Sequence, residues 1–358
     1  MGCITTSSPV WSPDGKALVF ARDDSLVLVG ANGSGERTLT TGLANGYVNC
    51  RYGGCDSESA SLQWFSSNDE IGFLDKAGNV DFVRPDGSSV QTIVRHASPQ
   101  ESVAWSPSGD RFAFVRVLVN VHGPAMRELV IEPLQGPAKV VTLPSGLTLT
   151  SMMPVWLPSG TGVLYGVSGG VHPLELFSMR AGGGDPVQLT DNNLDDFDPV
   201  WSPDGRRIAF ARGQVDVGYT AAERSLHLTS VAQGSLYLMG AHSGHVRRLT
   251  RSGIDTMPAW SPDGRSIAFT LATTRPDGSL ATQRLLTIAR LGGATRALPC
   301  RPARRYYYSD ADIPRIVNRA PDGAIEVSDG AAIWACASNG APARFLRGGD
   351  EPDWQPLH

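Results

Sequence analysis

The pentapeptide Trp-Ser-Pro-Asp-Gly recurs down this 358-residue chain, each time ahead of a short apolar run. Copies begin at Trp11 (WSPDGKALVFA), Trp105 (WSPSGDRFAFV), Trp156 (WLPSGTGVLYG), Trp201 (WSPDGRRIAFA) and Trp260 (WSPDGRSIAFT), with a looser one at Trp64 (WFSSNDEIGFL). Successive motif tryptophans lie 53, 41, 51, 45 and 59 residues apart (64−11, 105−64, 156−105, 201−156, 260−201). A period of that size marks a tandem array of one small unit that must bury its surface against its neighbours.

Each copy reads the same way. An extended stretch ends in Trp, a Ser-Pro-Asp-Gly turn follows, and an alternating Ile-Ala-Phe or Leu-Val-Phe strand comes next. Proline presets φ, aspartate bonds back to nearby backbone and glycine tolerates positive φ, so the turn is a tight hairpin connection. The period-2 strand after it is expected to bury one face. Third and fourth strands end on a Leu-Thr signature, as in Leu26 to Thr40, Leu176 to Thr190 and Ser235 to Thr250. The unit is a four-stranded antiparallel meander. A lone four-stranded sheet leaves a face uncovered and two edges bare, whereas radial packing covers the faces, so the sequence predicts an all-β propeller.

The core WSPDG-x-x-Ile-Ala-Phe, preceded by Pro-Val-Trp and followed by Leu-Thr, resembles the repeats of TolB-type β-propellers over nearly the whole chain. Departures are the degenerate copy at Trp64 and the region after about residue 300. Fourth-strand candidates end near Thr40, Ile93, Leu143, Leu189, Leu249, Leu298 and Leu346, which favours seven blades over six. One domain spanning 1–358 is expected, with a tail at 1–8 and, at 350–358, a motif (DEPDWQP) suited to closing the ring.

Composition narrows the function classes. The formal charge is −4 and no Lys/Arg run exceeds a pair, which argues against a nucleic-acid footprint. No apolar stretch reaches membrane-spanning length. Met1-Gly2-Cys3 looks like a lipoprotein junction with Cys3 as the lipid acceptor; it also fits a myristoylation pattern, and an unmodified start is the plain alternative. Among five cysteines, Cys50 with Cys55 would close a small loop and Cys300 with Cys336 would bridge the last two units. That arithmetic points to an extracytoplasmic setting, periplasmic, cell-surface or secreted, with buried free thiols as the alternative for Cys300 and Cys336.

The repeat also sorts the loops. First-to-second and third-to-fourth turns are short and share one side of each blade, while the long insertions lie on the other: Gly42 to Ser61, Leu118 to Arg127, Gly213 to Gly234, Thr273 to Arg284 and Pro299 to Ile313. Binding residues accumulate on loops held by a rigid scaffold, so the long-loop side is the expected binding side. There Arg304, Arg305, Tyr306, Tyr307 and Tyr308 combine guanidinium forks with amphipathic rings, joined by Tyr47, Arg51, Tyr52, Tyr219 and Arg224. Solvated loops are the competing interpretation. Asp195, Asp196, Asp198, Asp255 and Asp312 stand before first strands; carboxylates there would suit Ca²⁺, or would bond to neighbouring backbone as part of the repeat.

Enzyme signals are thin. Gly166 to Gly170 spells G-x-S-x-G, but a nucleophile elbow needs a helix after it and a strand follows here. Some peptidases carry propellers of this kind beside a hydrolase domain, for which this chain is expected to have no room. His122 and His172, in connections of adjacent units, are candidates for a metal-assisted site of the sort some TolB-like sugar lyases carry. No catalytic residue is assigned. The resemblance therefore implies a non-catalytic extracytoplasmic propeller that binds a protein or envelope partner, with a carbohydrate lyase or hydrolase using a divalent metal in the central funnel, or a structural subunit of a larger assembly, as alternatives.

Overall fold

The computed structural model describes residues 10–22, 24–43, 62–65, 69–94, 103–118, 126–141, 143, 147–150, 154–169, 173–220, 225–241, 243–251, 253–274, 280–298, 315–319, 325–328, 332–336 and 344–348. All regular structure among them is β, in antiparallel meanders of four strands, to which the Trp156 sheet (Val155–Trp156, Gly162–Ser168, Glu175–Arg180, Val187–Gln188) adds a short fifth, Thr148–Leu149. The Trp201 sheet runs Asp195–Trp201, Arg207–Thr220, Ser225–Gly240 and Ser243–Arg248. The Trp260 sheet repeats it with Ile254–Trp260, Ser266–Thr274, Leu280–Ala289 and Arg296–Ala297. One compact unit comprises Ser98–Ala297 and a second comprises Met1–Ala97 with Leu298–His358. The second holds the Trp11 and Trp64 sheets and the meander Arg315–Arg319, Ile325–Ser328, Ala332–Cys336, Arg344–Gly348.

The turn chemistry is what the motif demands. In the Trp201 copy, Ser202 Oγ donates to Asp204 Oδ1 (2.6 Å) and accepts from the Arg207 amide (2.9 Å), while Asp204 Oδ1 accepts from the Arg206 amide (3.1 Å). Ser12 with Asp14 and Ser261 with Asp263 repeat the pattern. Gly205 holds φ 65°, a left-handed conformation that costs little only without a Cβ.

The strand after the turn differs from expectation in burial. Its period-2 pattern predicts cover on one face, yet Ile208, Ala209, Phe210 and Ala211 are all buried. Ile208 and Phe210 pack with Leu164, Leu176 and Met239, towards the preceding Trp156 sheet. Ala209 and Ala211 pack with Trp260, Ile267 and Phe269 of the following sheet. Large side chains on one face and alanine on the other let each sheet nest against the next, so both faces become core. Burying an Ile or Phe side chain contributes about 1.5–3 kcal/mol, and this stacking supplies it on both faces of the Trp201 sheet.

The motif tryptophans tie the sheets together. Trp156 Nε1 donates to the Ala104 carbonyl (2.8 Å), Trp201 Nε1 to Val155 (3.4 Å) and Trp260 Nε1 to Val200 (3.3 Å). Each acceptor is the residue just before the motif Trp of the previous sheet. Replacing Trp156 with Phe keeps an aromatic side chain but removes the indole N–H that reaches Ala104, and is expected to cost about 1–2 kcal/mol in urea denaturation; no change would show that the indole bond contributes nothing.

Two of the predicted long loops are instead prolonged hairpins. Gly213 to Thr220 pairs with Ser225 to Gly234, with register shifts at Gln214/Val215 and Asp216/Val217. Ser266–Thr274 and Leu280–Ala289 likewise extend through Thr274 opposite Leu280. The β-branched residues of VDVGYT and LHLTSV favour strand continuation, a signal the loop reading passed over.

Candidate functional site

On the side of the blades reached by these extended hairpins, the seam between the Trp156 and Trp201 sheets gathers an ionic network. Asp196, five residues before the motif Trp, is completely buried and directly opposite Arg212 on the next strand. The guanidinium grips it side-on, Nε to Oδ1 at 2.6 Å and Nη2 to Oδ2 at 2.7 Å. Its Cζ lies 5.4 Å from the Phe210 ring centroid and 5.0 Å from that of Tyr237, so the cation is flanked by two aromatic faces.

Asn192, in the connection between the sheets, bridges to a second acid. Its Nδ2 donates to Asp196 Oδ2 (3.1 Å) and to both Glu175 oxygens (3.2 and 3.1 Å), and its backbone amide donates to Glu175 Oε1 (2.8 Å). Burial pushes the Glu175 carboxyl above its usual range, with Asp196 adding to the rise and hydrogen bonds from Thr190 and Asn192 opposing it. Burial also raises Asp196, while Arg212 pulls it back. Arg212 itself is lowered by burial and raised more by Asp196, so it stays charged. Two buried acids, the amide of Asn192 and a fixed cation thus share one hydrogen-bonded network at this seam.

The next sheet repeats half of this arrangement. Asp255 is completely buried at the position equivalent to Asp196, but Leu271 stands where Arg212 would. Among the described residues neither carboxylate oxygen meets a partner at hydrogen-bond geometry. Burial pushes its pKa up to about 6, against weaker opposing effects of the Thr250 hydroxyl and the Arg248 guanidinium.

The other predicted acids serve the seams. Asp195 Oδ1 accepts from the Leu174 amide (2.8 Å), and Asp198 Oδ2 accepts from the Met257 amide (3.0 Å). Asp198 (φ 49°) and Met257 (φ 51°) hold matching left-handed bulges before Pro199 and Pro258. No group of three metal-ligating side chains occurs among the described residues. Tyr219 lies on the extended strand Arg207–Thr220 opposite Leu226. Cys336 ends the strand Ala332–Cys336. Tyr47, Arg51, Tyr52, Arg224, Arg304, Arg305, Tyr306, Tyr307, Tyr308, Asp312, His122, His172, Cys3, Cys50, Cys55 and Cys300 lie outside the described residues. Ser168 closes the strand Gly162–Ser168, which hairpins into Glu175–Arg180.

Glu175, Asn192 and Arg212 were not singled out from the sequence. One signal was present: Arg22, Arg116 and Arg212 share a place after the apolar run, and the first two pair with Glu36 and Glu128.

No profile of a known protein family matches the chain. Curated relatives include the "Uncharacterized peptidase YuxL" of Bacillus subtilis, 26% identical over 211 residues, covering 52% of this chain and 31% of that protein. A dipeptidyl-peptidase 5 of Porphyromonas gingivalis is 31% identical over 108 residues, 29% of this chain and 14% of that protein. The chain thus spans a third or less of the length of these relatives. Among solved structures, an oligogalacturonate lyase in complex with manganese aligns with TM-score 0.64 at 12% identity, covering 91% of this chain and 87% of that one. The β-propeller domain of Cps50 (Swd1) from Myceliophteria thermophila aligns with TM-score 0.53 at 13% identity over 96% and 97%. The fold is a β-propeller. The expectation of a non-catalytic binding propeller is overturned, because the sequence relatives are named peptidases.

Proposed function

We propose that this chain is the propeller of a catalytic protein that hydrolyses peptides, the class for which its sequence relatives are named. The observation that carries the reading is shared sequence, 26% identity over 211 residues with a peptidase, rather than shared fold alone. The side bearing the extended hairpins and the Glu175–Asn192–Asp196–Arg212 network is the side we assign to substrate. A buried but charged cluster at a rigid seam gives fixed polarity there, the preorganisation that favours orienting a polar chain. Seven meanders among the described residues support a seven-bladed ring. The Cys50/Cys55 and Cys300/Cys336 spacing and Cys3 support an extracytoplasmic setting, which intact mass before and after reduction and alkylation would test.

The experiment is hydrolysis of aminoacyl and dipeptidyl chromogenic amides by protein carrying this chain, isolated from its native source. Release of chromophore that co-purifies with the chain is the expected result. Inactivity on every amide, alongside formation of unsaturated ends from oligogalacturonate, would replace the peptidase reading with the lyase one.

A further inference from the structure

The opposite side of the blades, where the Ser-Pro-Asp-Gly turns lie, carries a cleft of about 550 Å³ in the unit Ser98–Ala297. Its walls include Ser108, Arg111, Ser159, Thr161 and Arg180, with the Gly182-Gly183 hairpin alongside. What singles it out is a change in the repeat. Asp14, Asp204 and Asp263 give the other well-formed turns a carboxylate at the third turn position. The Trp105 turn has Ser108 there and places its acid two residues later, at Asp110; the Trp156 turn has Ser159 and no acid at all.

The Trp156 turn therefore brings no carboxylate of its own to the cleft where it meets the Trp105 turn. Asp110 holds Arg111 through Nε and Nη2, leaving Nη1 unengaged by it. Arg180 is exposed, and among the described residues no hydrogen bond or ion pair ties down its guanidinium. Ser159 Oγ and Thr161 Oγ1 lie 2.7 Å apart, one donating to the other, so one hydroxyl proton remains to be given. A Cβ at Gly182 or Gly183 would meet nothing within 4 Å, so the hairpin side is open.

We propose that this cleft binds a phosphate-type oxyanion, held by the Arg180 and Arg111 guanidiniums and the Ser159/Thr161 hydroxyl pair. Guanidinium forks match tetrahedral oxyanions in geometry as well as charge. The proposal is independent of the peptidase reading, because it concerns the other side of the blades and its test reads no hydrolysis.

The test is calorimetric titration of inorganic phosphate, and separately of a sugar monophosphate, into the purified chain at fixed ionic strength. Arg180→Ala and Ser159→Asp are compared with the parent. Ser159→Asp restores the residue that three other turns use at this place, so its fold is safeguarded, and thermal melting without ligand checks both variants. Binding of either probe, weakened about tenfold or more in each variant, supports the site. Tighter binding of the ester assigns a phosphorylated molecule, and tighter binding of inorganic phosphate assigns the free ion. No saturable binding of either, or unchanged binding by Ser159→Asp, overturns the proposal.

Discussion

Arg212→Met is expected to be the most damaging single substitution in the described structure, costing about 3–5 kcal/mol of folding stability. Asp196 is completely buried and makes both of its short ion-pair contacts to Arg212. Methionine fills much of the space between Phe210 and Tyr237 but leaves a charge without its counter-ion, and breaking a buried pair from one side costs that much. Removing both charges is a different case. In Asp196→Leu with Arg212→Met no carboxylate is stranded at that position, so the double variant is expected to recover a good part of the loss. Urea denaturation of the two singles and the double gives the coupling. A single variant within about 0.5 kcal/mol of the parent would show that water, rather than Arg212, compensates Asp196.

The second large effect concerns Asp255 and has the opposite sign. Burial raises its folded-state pKa to about 6 from the ordinary aspartate value of 3.8. Between those values the folded state binds more protons than the unfolded chain, so stability falls as pH rises through that window and the full penalty applies above pH 6. Asp255→Asn abolishes the titration. It is expected to match the parent near pH 4 and to exceed it by about 2 kcal/mol at pH 7. Leu271→Arg, which imports the partner that the preceding sheet uses, should flatten the same pH profile while keeping the carboxylate. Parallel stability–pH curves for parent and Asp255→Asn would show that the carboxyl finds a compensating partner.

The repeat made the fold legible because its information is local. A Ser-Pro-Asp-Gly turn is specified by four adjacent residues, and Ser202 with Asp204 closes it with bonds that reach no further than Arg207. The nesting of sheets was less legible. Both faces of Ile208 to Ala211 are covered, and the alanines that receive Trp260 look in one dimension like ordinary alternation. The ionic seam was harder still. Glu175, Asn192, Asp196 and Arg212 come from two strands, a connection and the following strand, and only the stacking of sheets brings them together. Asp196 and Asp255 read as equivalent copies in sequence; what distinguishes them is the residue across the strand, Arg212 or Leu271, sixteen positions further on in each case. Function is less legible than fold for a related reason. A propeller repeat specifies a scaffold, and the same scaffold serves binding proteins and enzymes alike.

The assignment to a peptide-hydrolysing protein is tested most directly by mass-spectrometric profiling of a defined peptide library. The library is incubated with native-source protein that carries this chain, and with the same preparation after the chain has been removed by antibody. The account predicts discrete new peptide termini that appear with the first sample and vanish with the second. An intact library, or termini that persist after the chain is removed, would contradict it.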